Sequence, residues 1–157
     1  MQHNYFHFKL RDLQLEITTA CNLRCLNCDR SCSQAPSNES MSITQIEKFV
    51  NESIELGWNW TTVGLFGGEP TLHSKFFDVI KILRKYGEIV PDCYFWISTN
   101  GYGQTVNSIL YKLPNWIYIW NSKKTSRLQP HVSVNEAQID FEEYGGADFT
   151  AACRVPQ

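Results

Sequence analysis

Apolar and polar side chains alternate along residues 13–19: Leu13, Leu15 and Ile17 fall on one side of an extended chain, Gln14, Glu16 and Thr18 on the other. Successive strand side chains point to opposite faces, so this pattern predicts a first β-strand with one buried face. From Ser42 the spacing becomes that of a helix. Ser42-Ile43-Thr44-Gln45 has the form of a capping box, and Met41 with Ile46 can make the flanking hydrophobic staple. Ile46, Val50 and Ile54 recur at helical spacing, and Gly57 supplies a stop. Further strands are expected at 61–66, 93–99 and 116–120, with a fifth at 131–135. Between them, Phe76, Phe77, Ile80 and Leu83 form the stripe of a second helix, with Ser74 as its cap and Gly87 at its close. A shorter helix around 106–113 stops before Pro114. Strands alternating with helices imply an α/β fold with a parallel sheet and right-handed crossovers.

If helices cover one side of that sheet, Leu13, Leu15, Ile17, Phe95, Ile97, Ile117, Ile119, Val132 and Val134 face them, with Cys93 a core thiol among them. The opposite faces carry Gln14, Glu16, Thr18, Ser98, Asn100, Tyr118, Ser122, Ser133 and Asn135. An ordinary parallel barrel fills its interior with Val, Ile and Leu. A polar interior points instead to a water-filled or ligand-filled cavity, because a buried polar group without a partner costs roughly 1–3 kcal/mol; an open, incomplete sheet with a wet face is the alternative, and the ligand cavity is expected because the cysteine loop and Gly67-Gly68-Glu69 project to that side.

The chemistry of the chain is concentrated in Cys21-Asn22-Leu23-Arg24-Cys25-Leu26-Asn27-Cys28, directly after the first strand. Three thiolates on a short loop can hold three corners of an iron-sulfur cluster and leave the fourth iron open. Two other readings use Cys32 as a fourth ligand: a structural zinc site, or a closed electron-transfer cluster like the tail of a bacterial ferredoxin run. Against the second, Ser33 stands where that run has proline and the first spacing is one residue longer. Cys32 is therefore expected to be a spare thiol beyond the loop. At 157 residues, 43% apolar and 13% aromatic, the chain fits one folded domain. A net charge of −2 with scattered cations gives no nucleic-acid surface, and no apolar run is long enough to span a bilayer. Without an export signal at residues 1–10, a cytoplasmic, reducing setting is expected, which suits metal-bound thiolates.

The Cys-x3-Cys-x2-Cys loop, the strand before it and Gly67-Gly68-Glu69-Pro70 after the second strand resemble, in this order, the radical S-adenosylmethionine (radical SAM) superfamily, over residues 13–135. The resemblance implies a partial (β/α) barrel of about five parallel strands with outer helices. It implies that Cys21, Cys25 and Cys28 hold a 4Fe-4S cluster and that Gly67, Gly68 and Glu69 hold the amino group of SAM on the open iron. Ser98 and Asn100 match the polar third-strand end that approaches the SAM carboxylate or ribose. Asn27 stands where the family often has an aromatic or apolar residue near the adenine. The implied activity is reductive cleavage of SAM to a 5'-deoxyadenosyl radical that abstracts hydrogen from a substrate, small molecule or peptide. An electron donor such as flavodoxin or ferredoxin is the implied partner. Glu69→Gln is expected to weaken SAM binding and spare the cluster. The rival is a non-catalytic metal-binding module or an inactive fragment.

In domain terms, 1–12 is a lead-in, with His3 and His7 as surface residues, 13–140 the core and 141–157 a tail. The family core has six strand-helix units against five strands here, so the barrel is expected to be short of its last strand. Cys153 is where a set of auxiliary-cluster cysteines would begin. Lys123, Lys124 and Arg127 follow the fourth strand, where they could meet an anionic substrate or the SAM carboxylate; a solvated loop is the expected setting.

Overall fold

The computed structural model describes residues 11–25, 28 and 30–125. Strands β1 (Asp12–Thr18), β2 (Thr62–Gly67), β3 (Tyr94–Thr99) and β4 (Ile117–Asn121) lie in the order β1-β2-β3-β4, all parallel. Helices α1 (Ile43–Glu55), α2 (Phe76–Ile89) and α3 (Gln104–Leu110) fall between successive strands. The expected α/β alternation is thus present among the described residues, as a four-stranded parallel sheet. The fifth strand at 131–135, Arg127, Asn27, His3, His7 and Cys153 lie outside the described residues.

The core forms where the alternation places it. Leu15 and Ile17 of β1, Val63 and Leu65 of β2, Phe95 and Ile97 of β3, and Ile117 of β4 are buried with Ile46 and Val50 of α1 and with Phe76, Val79, Ile80 and Leu83 of α2. Each such side chain contributes about 1.5–3 kcal/mol on leaving water. Tyr86 is buried in the same layer, where its hydroxyl donates to the Trp58 carbonyl at 2.6 Å and accepts from the Trp60 N–H at 3.1 Å.

Helix α1 begins as its sequence dictates: Ser42 Oγ accepts from Gln45 N at 3.2 Å and Gln45 Oε1 accepts from Ser42 N at 2.7 Å. Gly57, at φ 66°, follows its last turn. Helix α2 departs from expectation at both ends. Ser74 does not cap it; Lys75 holds the cap position without a side-chain bond, and His73 Nδ1 accepts from Lys75 N at 3.0 Å instead. Gly87 does not close it, since the helix runs on to Ile89. There a Cβ would lie 2.9 Å from Phe95 Cε2, so Gly87 serves close packing of helix on strand. Phe77, expected in the buried stripe, is exposed, and Val79, Ile82 and Tyr86 fill the stripe instead.

The other sheet face is aromatic rather than simply polar. Phe66 meets Trp96 edge-on at 4.8 Å, and Trp96 lies tilted against Trp120 at 5.6 Å. The alternation of β4 also weakens toward its end: Ile119, expected under helices, is 39% exposed on this last described strand. Two substitutions separate local from tertiary stabilisation. Ser42→Ala should cost about 1 kcal/mol through loss of the cap, and Leu65→Ala about 2–5 kcal/mol through loss of buried contacts and a residual cavity, both read from urea unfolding midpoints.

Candidate functional site

Strand ends place the site. At the carboxyl end of β1 the chain runs through Thr18 to Ala20 into the cysteine loop, and at the end of β2 it runs into Gly67-Gly68-Glu69. The two segments pair through backbone bonds, Gly68 N to Thr18 O at 2.9 Å and Glu69 N to Ala20 O at 2.8 Å. This pairing explains the glycines. Gly67 has φ 150°, and a Cβ there would run into the Thr18 carbonyl; a Cβ on Gly68 would run into the Ala20 carbonyl and sit 2.7 Å from Cys21 Cβ. Only a bare backbone fits between the second strand and the loop that begins at Cys21.

Glu69 is fully buried. Its Oε1 accepts from Thr71 N at 3.3 Å, Thr71 Oγ1 at 2.8 Å and Thr99 Oγ1 at 2.9 Å; its Oε2 accepts from Asn100 N at 2.8 Å and Thr99 Oγ1 at 3.0 Å. Burial pushes its carboxyl above the ordinary value, and the donors from Asn100, Thr71 and Thr99 oppose that rise. The carboxylate therefore ties the end of β2 to the end of β3.

Cys21, Cys25 and Cys28 converge on one cavity with Gly67, Gly68, Ser98 and Asn100. Glu69 lies behind this wall. The expected strand-end residues are thus brought together around the thiols, with Asn27 outside the described residues. Cys32, expected beyond the loop, also lines the cavity. Its position follows from the turn after Cys28, where Ser31 N donates to Cys28 O at 3.0 Å and opens the short 3-10 turn Cys32–Gln34. Burial pushes the Cys21 thiol up, as do Glu69, Cys25 and Cys28 nearby. Burial likewise raises Cys25, and the Lys124 ammonium draws it back down. Cys32 is pushed up to about 12 by burial and by Cys28 and Cys21. Thiolates that repel one another in a half-buried pocket suit a centre that brings positive charge to all of them.

Three wall residues escaped the sequence reading. Lys124, placed by its pattern in a solvated loop, lines the cavity, its backbone N held on Asn100 O at 2.9 Å. Arg30 also lines it, donating to Glu16 Oε1 at 2.9 Å and Gln14 Oε1 at 2.6 Å, with its guanidinium 4.7 Å over the Phe66 ring. The polar side chains of β1 are therefore engaged by the protein itself. Thr99 was hidden by alternation, which gave it to the helix side of β3; at the strand end that side meets Glu69. Its one signal was its place beside Asn100-Gly101 after the last apolar position.

Two outcomes are expected of the β2 turn. Glu69→Gln puts an amide NH2 against either the Thr71 or the Asn100 N–H and should lower stability by about 1–3 kcal/mol; an unchanged urea midpoint would contradict the structural role. Gly68→Ala should displace the loop and lower iron uptake on anaerobic reconstitution, where normal uptake would contradict the packing argument.

Comparison with known proteins follows this geometry. A family model described as the radical SAM superfamily matches residues 15–116. A probable GTP 3',8-cyclase of Methanococcus maripaludis is 31% identical over 93 residues, 59% of this chain and 29% of that protein. One of Thermoplasma volcanium is 34% identical over 74 residues, 47% of this chain and 22% of that protein. The chain therefore spans less than a third of these relatives. A crystal structure of Streptococcus suis SuiB bound to S-adenosylmethionine aligns with 85% of this chain and 26% of its own at TM-score 0.47 and 20% identity. With the family match covering the end of β1, the cysteine loop, the Gly-Gly-Glu turn, β2 and β3, this chain belongs to the radical SAM superfamily.

Proposed function

We propose that the chain is the SAM-cleaving part of a radical SAM enzyme, with Cys21, Cys25 and Cys28 as the ligands of a 4Fe-4S cluster. The observation that carries the reading is the cavity itself. Three loop thiols, the bare backbone of Gly67 and Gly68 and the end of β3 open onto one space. A 4Fe-4S cluster held by Cys21, Cys25 and Cys28 would supply one electron to the sulfonium of SAM, breaking its S–C5' bond to give methionine and a 5'-deoxyadenosyl radical able to take hydrogen from a substrate. No general acid or base is assigned, because the chain's part is to bind and orient.

The backbone of Gly67 and Gly68 is placed to accept the SAM amino group, and the Ser98 hydroxyl to meet its ribose or carboxylate. Asn27 is assigned to the adenine by resemblance alone. Lys124, which lines the cavity near enough to Cys25 for its charge to oppose the rise in that thiol's pKa, is the cation for the carboxylate. Glu69 acts through the turn it fixes rather than by touching the ligand. Lys124→Ala should raise the Kd for SAM about tenfold, in line with loss of one hydrogen bond between charged groups, and leave cluster content unchanged. An external donor such as flavodoxin or ferredoxin would supply the electron, and a small molecule or a peptide remains the class of substrate.

The metal-binding module has less support. The family match spans the cysteine loop together with the Gly-Gly-Glu turn, which a plain metal-binding loop does not require. Iron and sulfide after anaerobic reconstitution test the ligand set. Cys21→Ala, Cys25→Ala and Cys28→Ala should each fall well below four irons, and Cys32→Ala should keep about four. Loss of metal in Cys32→Ala would overturn the three-ligand reading.

A further inference from the structure

Asn100 leaves β3 with its backbone N–H on Glu69 Oε2 and its side chain turned back to the cysteine loop. Its Oδ1 accepts from Tyr102 N at 2.7 Å. Its Nδ2 donates to Asn22 Oδ1 at 2.8 Å and lies 3.9 Å from Cys21 Sγ. Asn22 Nδ2 in turn donates to Tyr102 O at 2.7 Å. Both carboxamides are therefore fixed in one orientation. A backbone N–H cannot face an amide nitrogen, nor a backbone carbonyl an amide oxygen, so Tyr102 decides which atom of each side chain is which. Of the two protons on Asn100 Nδ2, one goes to Asn22 and the other is left toward the Cys21 sulfur. That sulfur also accepts from Leu23 N at 3.4 Å.

We propose that Asn100, locked by Asn22 and Tyr102, is a positioning residue for Cys21 that gives its thiolate an N–H donor and so sets how firmly this thiolate holds its iron and how readily the cluster accepts an electron. The inference rests on the reading of Cys21 as a cluster ligand. A donor to a ligand sulfur stabilises the form with more negative charge, which is the reduced cluster. Partners of metal ligands also hold them in place, and their loss commonly costs 10–100-fold in metal affinity.

The test uses the full chain, reconstituted without oxygen, as wild type, Asn100→Ala, Asn100→Asp, Asn22→Ala and Cys21→Ala. Asn100→Asp keeps an oxygen for Tyr102 N and has no N–H for Cys21, but it sets a charged acceptor against Asn22 Oδ1, so the uncharged Asn100→Ala is read beside it. Asn100→Ala and Asn100→Asp should both lose iron to a ferrous chelator about tenfold faster than wild type. Both should show a severalfold lower ratio of reduced to oxidised cluster at a fixed solution potential, read from the electron paramagnetic resonance signal. Asn22→Ala, which frees Asn100, should shift both readouts in the same direction and serves if the Asn100 variants fail to fold. Wild-type chelation and wild-type reduction in Asn100→Asp would overturn the proposal, placing Asn100 in the turn alone. Full iron content in Cys21→Ala would overturn the ligand assignment beneath it instead.

Discussion

A buried carboxylate must have its lone pairs met from within the protein, and the site depends on how this is done for Glu69. Its oxygens draw in the backbone N–H groups of Thr71 and Asn100 and the hydroxyls of Thr71 and Thr99. The ends of β2 and β3 are thereby set against each other. The same turn carries the backbone pairs to Thr18 and Ala20 that deliver Cys21. From Asn100 a second layer of bonds reaches Asn22, Tyr102 and the Cys21 sulfur. One charged group inside the protein thus determines where three strand ends stand, and through them where the first cysteine of the loop stands.

The electrostatics of the pocket follow from what is crowded into it. Four thiols share a half-buried wall; burial and then neighbouring thiols raise the cost of ionising Cys21, Cys25 and Cys32, while Lys124 relieves Cys25. Such a pocket holds little intrinsic preference for free thiolates. Its donors become favourable together only around bound positive charge, which couples ligand ionisation to binding of the metal centre.

Much of this was legible in the chain. Alternation at Leu13, Leu15 and Ile17 marked β1, and the Ser42 capping box marked the start of α1, because both signals are local. The cysteine spacing and the Gly-Gly-Glu turn marked the site, since each depends on a short segment. What stayed hidden depends on contacts across the sheet. The glycines were read as holding the SAM amino group, and their close packing on the Thr18–Ala20 backbone depends on contacts the sequence does not display. Glu69 was read as facing SAM and lies behind the cavity wall, because its partners Thr99 and Asn100 come from a strand thirty residues on. Lys124 read as solvated because a charge in a short polar stretch has no local pattern that distinguishes a pocket wall from a free loop. Gly87 read as a helix stop, and only the ring of Phe95 packed against it explains why a glycine stands inside the helix.

If Cys21, Cys25 and Cys28 hold a cluster with one iron open to SAM, SAM changes the electronic environment of that iron. The electron paramagnetic resonance spectrum of the anaerobically reconstituted, reduced chain, recorded before and after addition of SAM, should then show a 4Fe-4S signal whose shape and g values change when SAM is added. A signal that SAM leaves unaltered, or a protein that takes up zinc and no iron, would contradict this assignment.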